Sequence, residues 1–293
     1  MRLTTRLLSA AIALFASPAL AQEAPLEAQG EEVVVTGTRD REKQVREFVT
    51  ALTPAPQGSI ARFIDQVCPL SVGLVPAQNA QVVERLRKVA RAAGMTVAPA
   101  DCTPNMFVIV TPEKRPFIEA LAKRQPDAFA LMRAKEVRRL ARSPGPAAAW
   151  QLEGPVDSSG VPIPLDSDTG MYVHRTTGAA SRLRPVAGRG FDASVVVVET
   201  GAIGGLTLTQ LADYAAMRLL AKLDPARLPP SSPPTILAVL DAKEGAQTPV
   251  TLTRWDLGLL RGLSAGPMQM AGAQRSTAAR EIAETLEAAS PDE

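Results

Sequence analysis

Residues 77–121, AQNAQVVERLRKVARAAGMTVAPADCTPNMFVIVTPEKRPFIEAL, decide how the rest of the chain is read. Val82, Val83, Leu86, Val89, Ala90 and Ala93 recur at three- and four-residue intervals, which predicts a helix over Ala77–Ala93 with one apolar face and Gly94 as its stop. Phe107–Val110 is an unbroken apolar run, the pattern of a strand covered on both faces. A second helix is expected around Phe117, Ile118 and Leu121. Helix, strand and helix in this order indicate an α/β unit, and Cys68 and Cys102 bracket its first helix.

Toward the N-terminus, Val45, Phe48, Val49 and Leu52 give Asp40–Leu52 helical spacing, and Glu32–Thr38 is a short β-prone run closed by glycine. Toward the C-terminus, Asp127–Arg142 reads as a basic helix carrying Arg133, Lys135, Arg138, Arg139 and Arg142. Asp127 and Glu136 interrupt the positive face and no aromatic is interleaved for base stacking, so it reads as a solvated face and not as a nucleic-acid surface. Ser143-Pro144-Gly145-Pro146 marks the expected hinge. Val161–Leu165 and Met171–Thr176 then flank Asp166–Gly170 as the arms of a hairpin. Those five residues begin like a calcium loop, but Met171 stands where such a loop needs glycine and Thr177 where it needs a bidentate glutamate, which leaves a turn. Ser194–Glu199 is a second buried strand, and Leu208–Lys222 and Thr253–Leu263 are helices opened by capping-box spacing, Thr207 with Gln210 and Thr253 with Asp256. The Pro-rich residues 229–234 lead into Thr235–Leu240. The expected fold class is mixed α/β (α+β): a disulfide-tied unit over 40–143, a strand-and-helix unit over 144–264, and a loose polar tail with one amphipathic helix over 265–293.

Residues 1–21 read as a cleaved signal peptide, with Arg2 and Arg6 ahead of the apolar run Leu7–Ala16 and Ala19-Leu20-Ala21 as a small-x-small end. Ser17-Pro18 breaks that run below the roughly 20 residues a spanning helix needs, so no membrane span is expected in the mature form. Residues 22–39 are expected as a flexible N-terminal segment, and the destination as the periplasm or the exterior. The full chain of 293 residues holds 32 Lys and Arg against 30 Asp and Glu; loss of Arg2 and Arg6 evens the balance, which argues against nucleic acid as a partner. In an oxidising compartment the two cysteines are expected to pair, closing a loop of about 35 residues.

One histidine, His174, is available for nucleophile or metal chemistry, and no Gly-x-Ser-x-Gly, Ser-x-x-Lys or His-Glu-x-x-His motif occurs. Gly201, Gly204 and Gly205 lack the Gly-Lys-Ser/Thr ending or the Gly-x-Gly-x-x-Gly spacing of a phosphate loop. A non-catalytic binding or envelope-associated protein is therefore expected, with no catalytic residue, metal or cofactor; its partner is an unidentified envelope protein or small ligand, and the sequence leaves its oligomeric state open. The rival reading is a hydrolase using carboxylates from Glu199, Asp213 and Asp256, which lie at or near element ends.

In order, Val195–Glu199, Gly201–Gly205, Thr209-Gln210-Leu211-Ala212-Asp213, Thr235-Ile236-Leu237 and Leu252-Thr253-Arg254-Trp255-Asp256 resemble the layout of a metzincin-type zinc peptidase. That resemblance implies a zincin-like second unit with its metal site lost. Thr209 and Asp213 occupy the two histidine positions of the family's helix, Gln210 the glutamate position and Leu237 the methionine position. Thr and Asp are poor zinc ligands beside histidine, and Gln210 cannot act as a carboxylate base. Thr209, Gln210, Asp213, Asp256 and Glu199 are thus expected to line a pocket kept for binding. Glu31–Arg39, EEVVVTGTR, is similar to the segment near the mature N-terminus of TonB-dependent outer-membrane receptors, which implies an envelope partner that accepts residues 32–38 as an added strand. As a whole the chain also resembles exported proteobacterial proteins of unknown function, a likeness that implies no particular activity.

Overall fold

The computed structural model describes residues 38–53, 59–174, 187–242, 245–266 and 269–288, all within one compact unit. Residues 1–37 lie outside the described residues, and with them the expected signal peptide and most of the expected segment 22–39 and run 32–38; Thr38 and Arg39, expected in that segment, instead open a helix. Among the described residues, no helix is long and apolar enough to cross a membrane.

The fold is mixed α/β with a mostly parallel sheet. Its hub is the long strand β7 (Ala187–Glu199). On one edge β7 pairs in parallel with β3 (Met106–Thr111) over 194–199 and with β1 (Arg62–Phe63) at 190–191. On the other edge it pairs antiparallel with β4 (Ala147–Asp157). β2 (Pro69–Val72) lies outside β3, so β2 and β4 form the two sheet edges. The four consecutive valines 195–198 explain the hub physically: Val196 and Val198 enter one core, and Val195 and Val197 the other.

Helices cover both faces. On one side lie α1 (Thr38–Leu52), α2 (Pro76–Ala92), α5 (Leu208–Leu220), α6 (Arg254–Ser264) and α7 (Ala271–Glu287). On the other lie α3 (Lys114–Arg124), a 3₁₀ turn at Pro126–Phe129 and α4 (Ala134–Ala141). α2 buries Val82, Leu86, Val89 and Ala90 along the expected face. It ends in a Schellman pair: the Gly94 N–H donates to Arg91 and the Met95 N–H to Ala90, with Gly94 at φ 78°. α5 is buried at every position from Gln210 to Met217, because the sheet, α2, α6 and the 3₁₀ turn Ile236–Ala238 surround it.

Cys68 and Cys102 are joined, 34 residues apart, tying the start of β2 to the loop before β3 across the ends of α2. Reduction, or alanine at both positions, is expected to cost about 3–4 kcal/mol in the chain-entropy picture. Urea unfolding with and without reductant checks this; an unchanged midpoint would show that the crosslink constrains little.

Four expectations are corrected. The basic helix Asp127–Arg142 is broken, because Phe129 leaves the helical path to stack on Trp150 with ring centroids 4.9 Å apart, while the Trp150 Nε1–H donates to the Ala128 carbonyl. The Pro and Gly cluster at 143–146 is not a hinge between separately folded units: it turns the chain from α4 into β4 of the shared sheet. Among the described residues the small hairpin is Leu165–Asp166 (β5) with Met171–Tyr172 (β6), continued by the Val173 N–H donating to Pro164; residues 175–176 of the expected second arm lie outside them. The rest of its expected first arm folds back on β4, where the Asp157 N–H donates to Val161 and the Ile163 N–H to Pro155. The Asp166 turn does form, its carboxylate accepting the Asp168 and Thr169 N–H groups. Thr235–Leu240, to which the sequence assigns no element, holds a 3₁₀ turn, Ile236–Ala238. Finally, the one amphipathic helix expected in the tail forms as α7, but it is packed and not loose. α7 lies against α6, where Gly258 and Gly262 admit the backbones of Ile282 and Ala278, and buried Gln274 bonds both the N–H and the carbonyl of Ile60.

Candidate functional site

Four of the residues that the sequence singles out, Gln210, Asp213, Asp256 and Glu199, are joints of the fold. Gln210 and Thr207 complete a capping box: the Gln210 N–H donates to Thr207 Oγ1 and the Thr207 N–H to Gln210 Oε1, while Gln210 Nε2 donates to the Pro249 carbonyl. Thr209 is exposed on the first turn of α5. Asp213, whose side chain is fully buried, receives Arg85 in a fork, Nε to Oδ1 at 2.6 Å and Nη2 to Oδ2 at 2.9 Å. The Thr251 hydroxyl and the Leu252 N–H also donate to its Oδ2. Asp213 raises the Arg85 pKa above its usual value through this hydrogen bond and its charge, burial acting the other way.

Asp256 caps α6 with Thr253 and receives the Thr235 hydroxyl and the Ile236 N–H. Burial pushes the Asp256 carboxyl up from its usual value, against the pull of those donors. Glu199, at the end of β7, accepts the Lys114 N–H that opens α3. His174 lies two residues past β6. Among the described residues no group of three or more His, Cys, Asp or Glu could hold a metal ion. None of the three carboxylates lines the groove along β4 or the cleft between α1 and α7.

The chemistry-bearing groove lies along β4. A cavity of about 620 Å³ is walled by α4, the 130–132 loop, α5 and residues 222–224, with β4 as its floor. A second of about 280 Å³ continues it over Gly145–Ala149 toward Tyr214 and Asp241. Leu140, Ser143, Ala149, Arg218 and Asp224 belong to both.

β4 carries free hydrogen-bonding capacity into this groove. The Glu199 N–H donates to the Pro146 carbonyl, and the register runs Ala147 to Val198 through Leu152 to Ala193. Alternation along an antiparallel ladder therefore turns the N–H and C=O of Ala147, Ala149 and Gln151 away from β7. Among the described residues none of these six groups has a hydrogen-bond partner. Pro155, which lacks an N–H, falls on the same outward parity, as a proline in an edge strand should. Ser143 Oγ, at the junction of the two cavities, is also buried without a partner among the described residues.

The walls carry charges of both signs, four cations and, with Asp241 of the smaller cavity, four carboxylates. The larger cavity collects Arg139, Arg189, Arg218 and Lys222 against Glu136, Glu153 and Asp224. Arg189 and Lys222 share the single buried carboxylate of Glu153. Glu136 accepts the Arg133 N–H at the start of α4. Arg218 donates to the Tyr214 hydroxyl at 2.7 Å, and its carbonyl accepts Gln151 Nε2. Neither Arg139 nor Arg218 has a carboxylate partner among the described residues. A cleft of about 510 Å³ between α1 and α7 also carries arginines, Arg41, Arg46, Arg275 and Arg280, but its backbone groups are already bonded within helices.

Sequence reasoning passes over this groove. β4 reads AAAWQLEGPVD, poor in strand formers and interrupted by Gly154 and Pro155. Pro155 beside an apolar run is the one signal that suits an edge strand. No family model, curated protein or solved structure matches the chain.

Proposed function

We propose that this is a non-catalytic binding protein of an exported compartment, and that β4 takes up an extended peptide segment of a partner protein as an added strand. The observation that carries the reading is the open edge at Ala147, Ala149 and Gln151 on the floor of a groove. Strand addition needs that unpaired main chain and side walls to hold the incoming segment. The stretch from Ala147 to Glu153 suits a segment of about seven residues, roughly 23 Å. The carboxylate-hydrolase alternative draws no support from Asp213, Asp256 and Glu199, whose oxygens hold caps, loops and an arginine in place. The signal-peptide reading and the crosslink are compatible with export.

Ala149→Pro provides the test, because the N–H it removes points into the groove and takes no part in pairing with β7. Peptides selected from a random displayed library on the full chain serve as probes, read by fluorescence anisotropy. Ala149→Pro is expected to weaken them about tenfold or more with a nearly unchanged melt, and alternate N-methylation of the peptide should do the same with the protein untouched. Failure to select any peptide, or equal binding after both changes, would overturn the reading.

A further inference from the structure

The open edge of β4 has two unlike walls. Ala148 and Trp150 face the core on the α4 side, with Met132 and Leu140, whereas Ala147 and Ala149 face the core on the α5 side. A strand added at this edge alternates its side chains between the same two sides. On the α4 side it meets Met132 and Leu140, and on the α5 side Arg218, Lys222 and Asp224. A fitting segment is therefore apolar at every second position and more polar between, and the mixed charges of the walls set no net charge for it.

Residues 32–37, Glu-Val-Val-Val-Thr-Gly, have that pattern: Val33 and Val35 share one parity, and Glu32, Val34 and Thr36 the other. Val33–Thr36 are four consecutive β-branched residues, which favours an extended backbone. Six extended residues, about 20 Å, fill most of the open stretch of β4. Where α1 begins decides whose groove they can enter. The Asp224 N–H, on a wall of both cavities, donates to the carbonyl of Leu52, the last residue of α1. The other end of that 15-residue helix, Thr38, therefore lies about 20 Å from Asp224. Val34, four residues before Thr38, reaches back about 14 Å at most. The run is tied too closely to α1 to centre itself in its own groove, and a groove on another molecule imposes no such limit.

We propose that the partner is a second copy of this chain, whose residues 32–37 pair with β4. This inference rests on the strand-addition reading and names the partner within it. Reciprocal exchange closes a two-fold dimer.

Sedimentation of the full chain over a range of concentrations provides the test. The unaltered chain is expected to associate, its mass rising toward twice that of the monomer. Two variants are each expected to weaken the association about tenfold or more: Ala149→Pro, which damages the acceptor edge, and Val34→Pro with Val35→Pro, which removes one N–H of each parity from the donor run. Mixing the two variants is expected to recover association that neither shows alone, because one keeps an intact β4 and the other an intact donor run. Recovery also shows that both variants fold. A chain that is monomeric at every concentration, association untouched by either variant, or no recovery on mixing would overturn the inference; strand addition then stands on the selected peptides alone. If those peptides also fail, or bind Ala149→Pro as tightly, strand addition falls as well.

Discussion

Asp213→Ala is expected to lower the stability of the fold by about 3 kcal/mol, or roughly 6–12 °C in Tm. The carboxylate is fully buried and receives three partners that join distant parts of the chain: Arg85 from α2, and Thr251 and Leu252 from the segment leading into α6. Removing it leaves the Leu252 N–H and the Thr251 hydroxyl short of an acceptor and the Arg85 guanidinium without its anion. Arg85 is itself about one-third exposed and regains some water, which holds the loss near the lower end of what breaking a buried pair costs. Thermal and urea unfolding of the variant measure this directly. A melt equal to that of the unaltered chain would sink the joint reading and return Asp213 to the candidates for acid–base chemistry.

Gly262→Val is expected to destabilise by at least about 3 kcal/mol, through overpacking and not through loss of a bond. A Cβ at Gly262 would sit 2.2 Å from the Ala278 Cα, and one at Gly258 would sit 2.6 Å from the Ile282 Cα. These glycines are one helical turn apart on one face of α6, so the backbones of α6 and α7 meet along that stripe, and neither backbone can yield without separating the helices. Gly272, in the first turn of α7, has open space where a Cβ would stand. Gly272→Ala should therefore be neutral or raise Tm slightly through helix propensity alone. Opposite signs for the two substitutions are the expected result, and a tolerated Gly262→Val would show that α7 is loosely held.

Short-range signals are the ones that sequence reading recovers here. The apolar face of α2, its Gly94 stop, the valine run of β7 and both capping boxes arise from contacts within a few residues, so spacing alone reveals them. The candidate carboxylates are legible as positions but not as roles. Asp213 looks like a free acid within a helix until Arg85, 128 residues away, closes on it. The groove is not legible, because β4 is a strand only through its pairing with β7 and its composition argues against it.

By itself, then, the amino-acid order determined the mixed α/β class, the pairing of Cys68 with Cys102, and the places where α2, α5 and α6 begin, since periodicity, cap chemistry and the paucity of sulfur leave few alternatives. Tertiary structure alone decided that β1, β2, β3, β4 and β7 join in one five-stranded sheet and that α7 locks onto α6 through two glycines. It also decided that β4 lies at the edge with its main chain open between Arg139 and Arg218. Those features depend on surfaces distant in the chain meeting at particular separations, a condition that neither hydrophobic spacing nor residue propensity encodes locally.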